Sequence, residues 1–135
     1  MDYKTQLPKV VKKVTQEQVN LYASASGDHN PIHVNPQFAA STTFGRTVAH
    51  GMLVLAFLSE MMTQAFGPAW LTSGKLKVRF KAPVFPEDQV STFGEARGKA
   101  RLAGATGFKY AVGCHNQGGE EIISGEATVT IPDTI

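Results

Sequence analysis

Two hydrophobic rhythms divide this chain of 135 residues, a helical one up to Phe66 and an alternating one from Lys75 onward. Thr15-Gln16-Glu17-Gln18 has capping-box spacing, with Gln18 at the third helical position, and opens a helix carrying Val19, Tyr22 and Ala23 on one face. Gly27 stops that helix. Asn35-Pro36 predicts a short second helix, with Asn35 as its cap and Pro36 in its first turn. After a turn at Gly45, the segment from Val48 to Phe66 is apolar nearly all round. His50, Leu53, Val54, Phe57, Leu58 and Met61 recur at helical spacing, and Met52, Leu55, Ala56 and Met62 fill the other faces. A helix of that kind is expected to be buried. Gly67-Pro68 ends it.

Beyond that point the pattern is that of strands. Lys75 to Lys81 alternates strictly, the signature of a half-buried strand. Pro83, Pro86, Glu87 and Asp88 mark a turn, and Val90 to Arg97, Gly107 to Cys114 and Glu121 to Ile131 read as three more strands. Asn116-Gln117-Gly118-Gly119 is a hairpin connection with glycines where positive φ is needed. Val10-Val11 among lysines predicts a short edge strand, and Thr130 to Ile135 either lies at an edge or frays. One apolar helix followed by antiparallel strands makes the fold class α+β, a single domain over 1–135 with the sheet wrapped around the helix. One curved sheet leaves part of such a helix uncovered, which predicts a homodimer.

Composition narrows the function classes. The formal net charge is +2, too small to argue for nucleic acid or a membrane surface as a partner. The longest unbroken apolar run, Met52 to Leu58, is far short of a membrane span. Met1 to Gln6 is polar and lacks the apolar core of a signal peptide. The single cysteine, Cys114, excludes an intramolecular disulfide, fits a reducing compartment, and reads as a small buried hydrophobe. The expectation is a soluble cytoplasmic protein. No P-loop or dinucleotide fingerprint is present.

The candidate chemistry lies in Tyr22-Ala23-Ser24-Ala25-Ser26-Gly27-Asp28-His29-Asn30-Pro31-Ile32-His33. Pro31 removes a backbone donor and pushes Asn30 out of the helical region, so Asp28 and His33 are expected on a stiffened loop. A carboxylate and an imidazole held together there suit a general acid–base pair. The plain alternative is a capped turn, with Asp28 satisfying nearby N–H groups and His33 packed at the surface. His29 is expected to face solvent or the loop backbone. Spacing among Asp28, His29 and His33 matches no common divalent ligand pattern, so no metal is expected. Cys114 and His115 are neighbours on a strand, point to opposite faces, and cannot meet as nucleophile and base.

The segment Gly27 to His33, with Tyr22 upstream and Ala39 downstream, resembles the hydratase-2 motif of the MaoC-like dehydratase family. Val48-Ala49-His50-Gly51-Met52-Leu53 resembles that family's entry into its central helix, and Phe80-Lys81-Ala82-Pro83-Val84-Phe85-Pro86 its later strand and turn. Ala25 departs from the pattern, standing where a larger aliphatic residue or glycine is usual. The resemblance implies a hot-dog fold, usually dimeric, and (R)-specific hydration of trans-2-enoyl-CoA thioesters, reversible as dehydration. Asp28 and His33 match its catalytic pair, and Ser59 falls where some members place a supporting hydroxyl. No cofactor is implied beyond the CoA carried by the substrate.

The chemistry of that reaction sets further expectations. An enolate oxygen needs a donor, and Gly51 offers a free N–H at a helix start with no side chain to block a thioester. Asn30 either fixes the loop or contacts substrate, and His50 is either a structural hydrogen-bonder or a substrate contact. Lys75, Lys77, Arg79 and Lys81 share one strand face. They form either a solvated edge-protecting face or a basic rim for CoA phosphates, with Lys77, Arg79 and Lys81 nearest the turn. Trp70 and Leu71 are placed near a pocket mouth. Rival readings are a dehydratase acting on carrier-protein thioesters, a hot-dog thioesterase, and a non-catalytic acyl-CoA-binding subunit.

Overall fold

The computed structural model describes residues 5–133. Its elements in chain order are β1 (Val11–Lys13), α1 (Gln16–Ser26), α2 (Pro31–Val34), α3 (Pro36–Ala40), α4 (Gly51–Phe66), α5 (Pro68–Ser73), β2 (Lys75–Phe80), β3 (Gln89–Leu102), β4 (Ala105–His115) and β5 (Glu121–Pro132). The strands form one antiparallel sheet in the order β1-β3-β4-β5-β2, which places the two short strands at the edges. Among the described residues, no helix is long and apolar enough to cross a membrane.

One face of the sheet packs on α4. Val54, Phe57, Leu58, Met61 and Met62 meet Phe108, Tyr110, Val112, Cys114, Ile123, Ala127 and Val129 in a single buried cluster. The inward residues of β4 fall at every second position, as a half-buried strand requires. β5 breaks this rule once. The pairing shifts between Cys114 and His115, and both Ile122 and Ile123 are buried. The bulge turns Ile122 toward the cavity beside α4 instead of outward.

The expected elements form, with physical corrections. Thr15 caps α1 by accepting from the Gln18 N–H at 3.1 Å, but the Gln18 side-chain oxygen is buried without a partner, so the capping box is half made. Gly67 does end α4, with φ 57°, yet Pro68 then opens α5, because proline at a first helical position is preorganised for a new helix. β3 and β4 run well past the expected ends, continuing to a turn at Gly104 with φ 74°. Of the hairpin glycines only Gly119 takes positive φ; the Asn116 side chain fixes the rest of that turn by accepting from Gly118 and Glu120 N–H groups.

Thr130 is inside β5 rather than at an edge, and the Ser73 hydroxyl both accepts from its N–H and donates to its carbonyl. Thr134 and Ile135 lie outside the described residues, as do Met1 to Lys4 of the polar N-terminus. The uncovered part expected of α4 is present. The sheet-facing side of the helix is fully buried, but Met52 is 58% exposed and Ala56 is also exposed in the single chain. Cys114 is buried as expected, and that burial pushes its thiol up to about 11.

Two outcomes follow from this packing. A Cβ at Gly125 would lie 2.1 Å from the Lys77 carbonyl oxygen on the neighbouring strand. Gly125→Ala is therefore expected to lose roughly 1–3 kcal/mol in urea denaturation, whereas Gly118→Ala, which meets only ordinary contact distances, stays near wild type. Cys114 in the folded chain is expected to resist a thiol reagent at about pH 8.5, where an unfolded cysteine is about half ionised, and to label only as urea unfolds the protein.

Candidate active site

Asp28, His33 and His50 come from three separate segments and converge. Each contributes one carboxylate oxygen or ring nitrogen to a group whose members all lie within 4.8 Å of one another. The turn that carries the first two is built from side-chain caps. Gly27 leaves α1 in the left-handed conformation, with φ 80°, and its N–H donates to the Ala23 carbonyl. The Asp28 carboxylate accepts from the Asn30 N–H at 3.2 Å, and the Asn30 side chain accepts from the Ile32 N–H at 3.1 Å. These two successive turns fix the backbone from Asp28 into α2. His33 is therefore on a one-turn helix rather than a loop, because Asn30 is a good cap and Pro31 a good first helical residue.

His33 is held from two sides. Its Nδ1 lies 2.7 Å from the Val48 carbonyl oxygen, and a carbonyl only accepts, so Nδ1 carries the proton and Nε2 is the free ring nitrogen. The Val48 N–H donates to the Ile32 carbonyl at 3.2 Å. Gln16 Nε2 donates to the His33 carbonyl at 2.8 Å, and Gln16 Oε1 accepts from the buried Thr47 hydroxyl at 2.7 Å. Gln16 thereby ties α1, α2 and the segment entering α4. Its role was not legible in the sequence: the pairing with Asn20 at i,i+4 is a local pattern, but Thr47 is 31 residues away.

His50 occupies the cap position of α4 but makes no side-chain cap. It is only 2% exposed. Its Nε2 is 3.0 Å from the Asp28 main-chain oxygen, and its ring stacks on His33 at a centroid distance of 3.8 Å and 26° between planes. The Tyr22 ring tilts against its other surroundings at 4.8 Å. Stacked, near-parallel imidazoles send their in-plane lone pairs side by side rather than toward one ion. The trio fits proton handling better than coordination. His29 is exposed.

The start of α4 completes the site. The Gly51 and Met52 N–H groups have no intrahelical partner, and the helix dipole favours negative charge there. Gly51 is exposed and faces Phe80: a Cβ at position 51 would lie 3.1 Å from that ring. Beside them opens a cavity of about 340 Å³, walled by Val48, Gly51, Val54, Phe80, Val84 and Ile122, with Lys81 as the one cation in the lining. Lys81 pairs with Glu121, which holds that carboxyl below the usual range. Lys75, Lys77 and Arg79 lie exposed along β2.

Two expected neighbours of the pocket lie elsewhere. Trp70 is buried, and its indole N–H donates to the Ser59 hydroxyl at 3.1 Å, joining α4 to α5. Leu71 is exposed on the outer side of α5. Ser59 itself is eight residues from Gly51, about 12 Å along the helix.

Comparison with known proteins agrees with this architecture. The family model described as MaoC like domain matches residues 3–113. The 3-hydroxyacyl-thioester dehydratase Z of Mycobacterium tuberculosis is 47% identical over 75 residues, covering 53% of this chain and only 50% of that protein's length. The (R)-specific enoyl-CoA hydratase of Aeromonas caviae is 33% identical over 128 residues, 94% of this chain and 93% of that one. Among solved structures, the (R)-hydratase from A. caviae involved in PHA biosynthesis superposes with a TM-score of 0.81 at 29% identity, covering 98% of both chains. With a sheet curved over one central helix, an acid–imidazole pair at the motif positions and a family match over most of its length, the chain belongs to the MaoC-like domain family and has its hot-dog fold.

Proposed function

We propose that this protein is an (R)-specific enoyl-CoA hydratase, adding water reversibly and syn across the double bond of trans-2-enoyl-CoA. The observation that carries this reading is the convergence of the Asp28 carboxylate and the His33 imidazole on His50, the residue directly before Gly51, whose N–H opens α4 at the wall of an apolar cavity. A water offers two O–H donors, and an ionised carboxylate with a neutral imidazole offers two acceptors for them. Asp28 is the base, and His33 the proton donor or the group that orients the water.

As the water oxygen bonds the β-carbon, one proton passes to the pair and the π electrons move onto the thioester oxygen. That oxygen sits on the Gly51 N–H, an interaction whose loss costs roughly 2.7–4 kcal/mol in comparable sites. A proton from the pair then bonds the α-carbon, which restores the thioester and returns both side chains to their starting states. Each proton transfer of this kind contributes about 10²–10⁴-fold. Asn30 holds the turn, and Ser59 supports α4 from within. Lys77, Arg79 and Lys81 form the rim for the CoA phosphates. The reaction calls for no cofactor beyond the CoA of the substrate, and the lone unpaired cysteine supports a cytoplasmic setting.

The exposed side of α4 at Met52 and Ala56, together with the open edge of β2, supports a homodimer as the working form. Light scattering is expected to give twice the 14.5 kDa mass of one chain; a monomer at working concentration would remove the dimer from the reading. The activity test is loss of enoyl-thioester absorbance with crotonyl-CoA and longer enoyl chains, followed by chiral analysis of the product. Wild type is expected to give the (R)-3-hydroxy thioester, and Asp28→Asn and His33→Ala to lose about 10²-fold or more with unchanged circular dichroism. Wild-type turnover surviving in either folded variant removes that residue from the mechanism. Turnover confined to carrier-protein thioesters favours the dehydratase of an elongation cycle. Release of free CoA favours a thioesterase, and binding without turnover a non-catalytic subunit.

A further inference from the structure

The geometry points to His50 as a positioning residue that couples the acid–base turn to the oxyanion helix, an inference that rests on the hydratase reading for its kinetic arm. Three observations meet at this one ring. Its Nε2 lies 3.0 Å from the Asp28 main-chain oxygen; that oxygen accepts, so Nε2 carries the proton and His50 donates to the residue that bears the base. Its face stacks on His33 at 3.8 Å, fixing the plane in which His33 presents its free nitrogen. Its own backbone is the cap of α4, one residue before Gly51. Asp28, His33 and Gly51 are thus registered to one another through a single rigid side chain.

The same observations exclude His50 as the proton carrier itself. The ring is 2% exposed, and Nδ1 is buried with no hydrogen-bond partner among the described residues. A proton added at Nδ1 would find no acceptor. It would also put a cation face to face with the His33 ring. A neutral His50 avoids that arrangement, and the orphaned Nδ1 is tolerated because the ring is needed for its stack and its donor. Buried polar groups without partners are uncommon.

Two substitutions separate the two functions of the ring. His50→Gln keeps an amide donor for the Asp28 carbonyl and loses the stack; His50→Phe keeps the stack and loses the donor. Expected for His50→Phe and for His50→Ala is a fall in kcat of about 10²-fold with KM little changed, the effect of displacing reacting groups by about 1 Å. His50→Gln is expected to recover to within about tenfold of wild type, since a tenfold change corresponds to one hydrogen bond of ordinary net strength. Both limbs of the pH profile of kcat should survive in every variant, because the titrating groups remain. Loss of one limb would make His50 the acid or base, and kcat within twofold of wild type in a folded His50→Ala would make it a bystander; either result overturns the inference.

A second readout does not depend on turnover. In ¹⁵N-labelled protein, His33 is expected to show the Nδ1–H tautomer in wild type and in His50→Phe, which keeps the stack, and a mixture of tautomers in His50→Ala and His50→Gln, which lose it. If wild type turns over no enoyl thioester at all, the hydratase reading fails while this measurement still decides the inference. An unchanged His33 tautomer in both His50→Ala and His50→Gln would overturn it.

Discussion

The hydrogen bond between His33 Nδ1 and the Val48 carbonyl is the constraint on which the rest of the site depends. It joins a one-turn helix, made only of local caps, to the segment that leads into the central helix. A four-residue helix has no stability of its own, since nucleating a turn costs more than its single bond returns. α2 persists because Asn30 caps it, Gln16 holds the His33 carbonyl, and Val48 binds it at both a donor and an acceptor. The imidazole that results has its proton assigned and its free nitrogen defined before any ligand arrives. Such preorganisation is what the proposed action of the pair on one water requires.

The second half of the site is placed by the sheet. α4 is pinned by its buried face on β3, β4 and β5, so its N-terminus ends at a fixed point next to Phe80 and the turn after β2. A Cβ at that point would lie 3.1 Å from the exposed Phe80 ring, which would have to give by a few tenths of an ångström. The bulge at Ile122 supplies another wall of the cavity, and its carbonyl takes the Lys81 N–H that directs the chain away from β2. Gly51 lines the apolar cavity and directly follows His50, whose ring stacks on His33, at the end of α4 where the helix dipole is positive.

How much of this the sequence disclosed depended on the range of the interaction. Caps and turns are local, so Thr15, Asn35, Pro36, Gly27 and Gly67 could be placed from residue type alone, and each behaves as expected. Where two local signals competed, the reading fell short. Gly67-Pro68 both ends one helix and begins another, and strand ends at Leu102 and Ala105 carry no breaker except Gly104. Trp70 shows the same limit. An aromatic residue after a helix could face a pocket or the core, and only the Ser59 hydroxyl beneath it settles that it faces the core.

The sequence by itself determined the fold class, the central helix and the acid–imidazole motif, because periodicity, caps and a long contiguous motif are written within a few residues of one another. It also carried Gly51 as a donor, since a helix start leaves N–H groups free whatever surrounds it. Tertiary structure alone decided that His50 would meet both Asp28 and His33, that Gln16 would reach Thr47, and that Met52 and Ala56 would be left uncovered on α4. These depend on how the segments from Gln16 to Gly51 pack over the sheet. Distances across that packing are set by the sum of many weak contacts, and no short stretch of the chain encodes them.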